Sequence, residues 1–225
     1  MIRVHVICEG QTEEEFVRQV LCPALLERNV ILLPSCIGKV GHKGGNVKFQ
    51  RLLLDIRQRL LGDQHCYCTT LMDYYGLPSD FPGKEASDRC TGSYEKLSNI
   101  SEALSREISL ELGAAGCRFI PYVQMYEFEG LLFSQTRVLA ESIQKSNLAE
   151  KFGKIRDSFS TPEDINDSPD TAPSKRIERL FSGYDKPIHP VLAASEIGLD
   201  AIRLECRLFD RWVKQIEELT TGNAT

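Results

Sequence analysis

Five carboxylates carry the chemistry in this sequence. Glu9 ends the apolar run Ile2–Cys8, Asp73 ends Cys66–Met72, and Glu127 and Glu129 follow Phe119–Met125. Each run has strand character, and open α/β sheets bind ligands in the crevice beyond the C-terminal ends of their strands. Acids from three separate strands that meet there would form an all-oxygen site for a hard divalent cation. Mg²⁺ takes such ligands and keeps waters and substrate phosphates in its shell. The expected chemistry is therefore metal-dependent phosphodiester cleavage with Mg²⁺ or Mn²⁺ as cofactor. Glu13 lies four residues after Glu9 and is open to two readings, a residue facing the same crevice or an acid at a helix N-terminus. Glu14 and Glu15 read as helix chemistry, with Thr12 and Glu15 spaced as a capping box.

Basic and aromatic residues surround these acids in the sequence. Lys39, His42 and Lys43 stand in a Gly-rich stretch, with Lys48 and Arg51 close behind. Glycines let a backbone approach phosphate and lysines attract it, so His42 and Lys43 are candidates to position a scissile phosphate or stabilise its developing charge. A solvated loop explains the same residues. Lys175, Arg176 and Arg179 read as a solvated helix face. Tyr74, Tyr75, Tyr126 and Phe128 suit base stacking or aromatic core packing. The sequence has no G-x-G-x-x-G after its first strand, no Walker A loop, no G-x-S-x-G elbow and no H-E-x-x-H. His5, His42, His65 and His189 lack ligand spacing.

Certain elements must position these groups. Strands are expected at Ile2–Cys8, Val30–Ile37, Cys66–Met72 and Cys117–Met125, with helices after Glu9, from about Val47 to Leu61 and from about Ser93 to Gly113. Tyr74–Gly92 reads as a long irregular segment. This β-α-β-α-β-α-β order implies a parallel sheet with helices on both faces. Beyond Glu129 the pattern turns helical at Gly130–Phe133, Val138–Ile143, Leu148–Phe159 and Lys175–Phe181. A surface linker is expected at Ser160–Ser174, a turn at Gly183–Pro190 and one last helix at about Asp200–Leu219.

Composition sets the outer limits. The chain has 225 residues, 42% of them hydrophobic and 26% charged, enough for a substantial core in one structural unit. Its net charge of −5 argues against a broadly basic nucleic-acid coat, though bound cations would offset a carboxylate cluster. The eight cysteines include no C-x-x-C and read as reduced, structural thiols. No run is long and apolar enough for a transmembrane helix, and the N-terminus has no signal-peptide pattern, so a cytoplasmic location is expected.

Several motifs together resemble a known family. They are Glu9-Gly10-Gln11-Thr12-Glu13 with Phe16, Asp73-Tyr74-Tyr75-Gly76-Leu77-Pro78, Tyr126-Glu127-Phe128-Glu129-Gly130-Leu131-Leu132-Phe133, Ala172-Pro173-Ser174-Lys175-Arg176, and Ile197-Gly198-Leu199-Asp200-Ala201-Ile202-Arg203 with Cys206, Phe209 and Trp212. Over essentially the whole chain they resemble a bacterial domain-of-unknown-function family, the one numbered forty-two seventy-six. That family is similar to TOPRIM domains, the fold of topoisomerases, primases and overcoming-lysogenization-defect (OLD) nucleases. The resemblance implies a place beside an ATPase in anti-phage systems. It also implies Glu9 as general acid/base or metal ligand, Glu13 as the added acid of OLD-type enzymes, and Asp73 as the first acid of a D-x-D pair. Tyr75 stands at the second acidic position. Glu127 or Glu129 takes that place, or the site holds one cation instead of two, or it is degenerate.

The expectation is an α/β, TOPRIM-like fold with a parallel sheet of about four strands flanked by helices. Residues 1–134 form the core and residues 135–225 a helical C-terminal extension packed on it. The expected activity is nuclease-type hydrolysis of DNA or RNA. Glu9, Asp73 and Glu127 hold the metal, Glu13 and Glu129 are outer or second-site ligands, and His42 and Lys43 act on the phosphate. The alternatives are a non-catalytic or partner-activated subunit that binds an ATPase, and hydrolysis of a small phosphorylated molecule.

Overall fold

A computed structural model describes residues 1–37, 47–166, 168–186 and 188–219. Lys39, His42 and Lys43, with the rest of the Gly-rich stretch, lie outside the described residues. The sheet has four parallel strands in the order β2-β1-β3-β4. They are β1 (Ile2–Cys8), β2 (Val30–Cys36), β3 (Cys66–Leu71) and β4 (Phe119–Ile120). Cys8 stands level with Cys36 on one side and Leu71 on the other, so the three longer strands end together at one edge.

Strand alternation sends side chains to two cores. On one face Val4, Val6, Cys8, Val30 and Leu32 pack with Phe16, Leu21 and Leu25 from the first helical segment and with helices from the C-terminal third. On the other, Ile7, Cys66 and Cys68 meet Leu52, Ile56 and Leu60 of α3 (Phe49–Gly62) and Ile100, Leu104 and Ile108 of α5 (Ser93–Leu112). The first helical segment runs as α1 (Gln11–Phe16), a wider π-helical turn at Val17–Leu21, and α2 (Cys22–Leu26). Pro23 accounts for the widening, because it has no N–H to give and its ring crowds the preceding turn. A short α4 (Lys84–Asp88) interrupts the irregular segment before α5.

The fourth strand is shorter than its apolar run suggests. Pro121 removes a ladder donor, so regular pairing stops at Ile120. Threonine hydroxyls take over: Thr69 Oγ1 donates to the Ile120 carbonyl and Thr70 Oγ1 to the Tyr122 carbonyl, both at 2.6 Å. Pairing then resumes. The Gln124 N–H reaches the Met72 carbonyl at 2.8 Å and the Tyr74 N–H reaches the Gln124 carbonyl at 2.9 Å. The chain therefore still runs beside β3 to the sheet edge and delivers Glu127 there.

The C-terminal third is helical: α6 (Thr136–Ser142), α7 (Ala149–Asp157), α8 (Pro173–Leu180), α9 (His189–Ile197), α10 (Leu199–Glu205) and α11 (Arg207–Glu218). Helix α11 buries Leu208, Phe209, Trp212, Val213 and Ile216, a stripe at helical spacing. Burial of each such side chain contributes about 1.5–3 kcal/mol. Trp212 stacks on Tyr122 at 4.6 Å and donates its indole N–H to Thr69 Oγ1 at 2.8 Å, which fixes the helix to the sheet.

Three local expectations are corrected. The helix after Glu9 is capped by Glu13, whose carboxylate accepts the Gly10 N–H at 2.9 Å; Thr12 instead donates to the Lys186 carbonyl at 3.1 Å. Ser160–Ser174 is not a surface linker, since it buries Glu163, Ile165, Ala172 and Ser174. The expected final helix is two helices that break at Cys206. Glu163 stabilises the break by accepting the Leu208 and Phe209 N–H groups at 2.8 Å each, satisfying the free donors at the start of α11.

Candidate functional site

The acids meet at the C-terminal edge of the sheet. Glu9 leaves β1, and its own N–H bonds to the Leu71 carbonyl, which places it beside β3. Its Oε2 accepts the Asp73 N–H at 3.0 Å. Asp73 Oδ1 accepts the Phe128 N–H at 2.8 Å, tying the exit of β3 to the Glu127–Glu129 segment. Glu127 Oε2 accepts the Ser174 N–H at 2.9 Å, at the start of α8. Glu13 Oε2 holds the Gly10 N–H.

Four of the five carboxylates thus spend one oxygen on a backbone N–H, which fixes the direction of the other. The remaining oxygens of Glu9 and Asp73 accept no hydrogen bond among the described residues. Glu9, Asp73 and Glu127 are partly open to solvent, while Glu13 and Glu129 are buried behind them. Gly76 has a specific part here. A Cβ at that position would lie 2.7 Å from the Glu9 carboxyl carbon, so the absence of a side chain makes room for the acid.

Mutual repulsion is written into their acidities. Burial pushes Asp73 well above the ordinary carboxylate range, and Glu13, Glu9, Glu129 and Glu127 push it further. Glu9 is raised by burial against the stabilising Asp73 N–H and Lys186, with Glu127 and Glu129 adding to the rise. Burial lifts Glu13 to about 7, with Glu9 contributing. Burial also lifts Glu129 to about 7, against Lys186 and with Glu127 contributing. Each perturbation joins desolvation to named neighbouring charges, the combination that marks functional sites.

A second wall comes from the C-terminal third, and the sequence did not disclose it. Lys186 Nζ stands 3.6 Å from Glu129 Oε1 and 4.0 Å from Glu127 Oε1. Burial alone would lower its pKa, but Glu129, Glu127 and Asp73 outweigh that and raise it. The same part of the chain carries two buried hydroxyls, Ser174 Oγ and Tyr184 Oη, without hydrogen-bond partners among the described residues. Burial, then Glu129 and Glu127, hold the Tyr184 hydroxyl well above its usual range, so it keeps its proton. The Lys186 segment is held by Thr12, by the Asp185 N–H donated to His189 Nδ1 at 2.7 Å, and by stacking of Tyr184 on His189. Lys186 sits in a Tyr-Asp-Lys-Pro turn whose local signals are those of a surface loop.

Tyr75, at the second position of the expected D-x-D pair, points elsewhere. Its hydroxyl bonds to Asn166 and its ring leans on Tyr126. Tyr74, Tyr126 and Phe128 are core residues. The cysteines are all free thiols.

The donor set fits a hard cation, being carboxylate oxygen throughout. As placed, no three His, Cys, Asp or Glu side chains among the described residues stand close enough to hold a metal ion between them. No helix among the described residues is long and apolar enough to cross a membrane.

Comparison with known proteins gives one match. The model of a family described as a domain of unknown function, DUF4276, matches residues 8–217. No curated protein and no solved structure matches the chain. The matched span takes in both walls of the site, and the chain belongs to the DUF4276 family.

Proposed function

We propose that the protein is a Mg²⁺- or Mn²⁺-dependent phosphodiester hydrolase of nuclease type, with a TOPRIM-like arrangement of acids. The carrying observation is the set of backbone-oriented carboxylates at one sheet edge, more negative charge than the half-exposed Lys186 offsets among the described residues. Glu9, Asp73 and Glu127, the solvent-accessible members, would hold the cation, and Glu13 and Glu129 would support it from behind. A cation there supplies Lewis-acid polarisation of a phosphoryl oxygen and makes water more acidic. The TOPRIM likeness offers Glu9 a second role as general acid/base. Lys186 faces the same space and would stabilise charge that develops on the phosphate. DNA or RNA as substrate, an ATPase partner and a role in phage defence belong to this proposal through the TOPRIM and OLD likeness.

The test is a nuclease panel on DNA and RNA with Mn²⁺ or EDTA, run on wild type and Glu9→Ala. Metal-dependent cleavage that disappears in a folded Glu9→Ala protein supports the reading. Unchanged cleavage by Glu9→Ala removes it. A second reading, a non-catalytic subunit that binds an ATPase, is favoured by Tyr75, which is tied to Asn166 where an acidic ligand is expected. Absence of any Mn²⁺-induced thermal shift would select it.

A further inference from the structure

The two walls of the site differ in chemical sign. The sheet edge presents acceptors: the carboxylates of Glu9, Glu13, Asp73, Glu127 and Glu129. The segment from α8 to the start of α9 presents donors: Ser174 Oγ, Tyr184 Oη and Lys186 Nζ. Acceptors recognise a cation, whereas two hydroxyls and an ammonium recognise an anion with several oxygens. Both hydroxyls are buried and unpartnered among the described residues, and Ser174 is 0% exposed. A buried polar group without a partner is costly to keep. Glu127 holds the Ser174 N–H and is also approached by Lys186, and the Tyr184 hydroxyl lies within range of the charges of Glu129 and Glu127.

We propose that Ser174 Oγ, Tyr184 Oη and Lys186 Nζ form an anion subsite that binds the non-bridging oxygens of a phosphate group, opposite the carboxylate wall. The subsite rests on the cation-dependent reading above, because a phosphate beside five carboxylates needs a counter-charge. Lys186 supplies part of it when it turns from Glu127 and Glu129 to the phosphate, and the cation supplies the rest. The hydroxyls add direction without charge. Their burial lets the subsite take one phosphate group at a time.

The test uses Tyr184→Phe and Ser174→Ala in the full-length chain, with Mg²⁺ and inorganic phosphate as probes in calorimetric titrations. Neither variant removes a hydrogen bond made among the described residues, so both should melt no lower than wild type without ligand. Both should retain wild-type Mg²⁺ affinity. With Mg²⁺ present, each should bind phosphate about tenfold more weakly, the loss of one charge-assisted hydrogen bond. Wild-type phosphate affinity in both variants overturns the proposal, as does a lower ligand-free melting temperature, which would give the hydroxyls a structural role. Loss of Mg²⁺ affinity in the variants also overturns it, placing the hydroxyls around the cation. If wild type takes up no Mg²⁺, the cation-dependent reading fails on its own, and the titration is repeated without metal. Weaker phosphate binding by both variants then sustains the subsite; equal binding, or none by wild type, ends it.

Discussion

Replacing Glu129 with Gln should make the metal-free protein more stable, by an amount that depends on pH. Glu129 is 3% exposed, and its acidity is shifted from 4.5 to about 7, chiefly by burial. A carboxyl that titrates higher in the folded state gives stability that is complete below about 4.5 and is lost as pH rises through about 7. At 1.36 kcal/mol per unit, ionisation costs about 3 kcal/mol at pH 8 and about 1 kcal/mol at pH 5. Glutamine keeps the shape and removes the charge. Glu129→Gln should therefore melt about 6–12 °C above wild type at pH 8 in EDTA, with the gap shrinking at pH 5. The Lys186 contact, lost in the variant, pulls the gain toward the lower figure. Differential scanning calorimetry at both pH values gives the answer. A variant no more stable at pH 8, or a difference independent of pH, would refute the argument that this acid is held in an uncompensated, desolvated position. Millimolar Mn²⁺ should reverse the order at pH 8, because wild type regains by ligation what repulsion removes.

Two further substitutions probe the supports of the site. Gly76→Ala should displace the Glu9 carboxylate and weaken Mn²⁺ binding at least about tenfold in a thermal-shift titration, while ligand-free stability falls by no more than about 1 kcal/mol, because the conflict is with a side chain end and not with backbone. Glu163→Ala should cost about 2–3 kcal/mol in urea unfolding at pH 7, since it strips the acceptor from the Leu208 and Phe209 N–H groups; a change below about 0.5 kcal/mol would show that the start of α11 needs no cap.

Much of this architecture is legible in residue order. Apolar runs ending near Cys8, Cys36 and Leu71 locate β1, β2 and β3 almost to the residue, because parallel strands buried on both faces leave near-continuous apolar sequence. The placement of Glu9, Asp73 and Glu127 along one sheet edge follows from their positions just past strand ends. Other features have no local signature. Pro121 cuts β4 short, yet Thr69 and Thr70, some fifty positions earlier, keep the chain in line. Glu163 looks like a linker acid until α11 is placed against it. Lys186 reaches the acids only because Thr12 and His189 fold its turn inward, and a long-range arrangement of that kind leaves no periodicity to read. The Gly10–Glu13 cap and the Thr12–Glu15 pair share the same spacing, so local sequence does not tell one from the other.

The main-chain donors on the acids have a consequence for experiments with amide analogues. The Asp73, Phe128 and Ser174 N–H groups each require an oxygen. An amide at Glu9, Asp73 or Glu127 must turn its carbonyl toward that donor, which points its NH₂ into the crevice. The swap therefore reverses polarity at the inward-facing atom instead of merely deleting charge, planting a hydrogen where a lone pair had been. Isosteric amides at these three positions act as repellents of a cation, whereas alanine only leaves a gap.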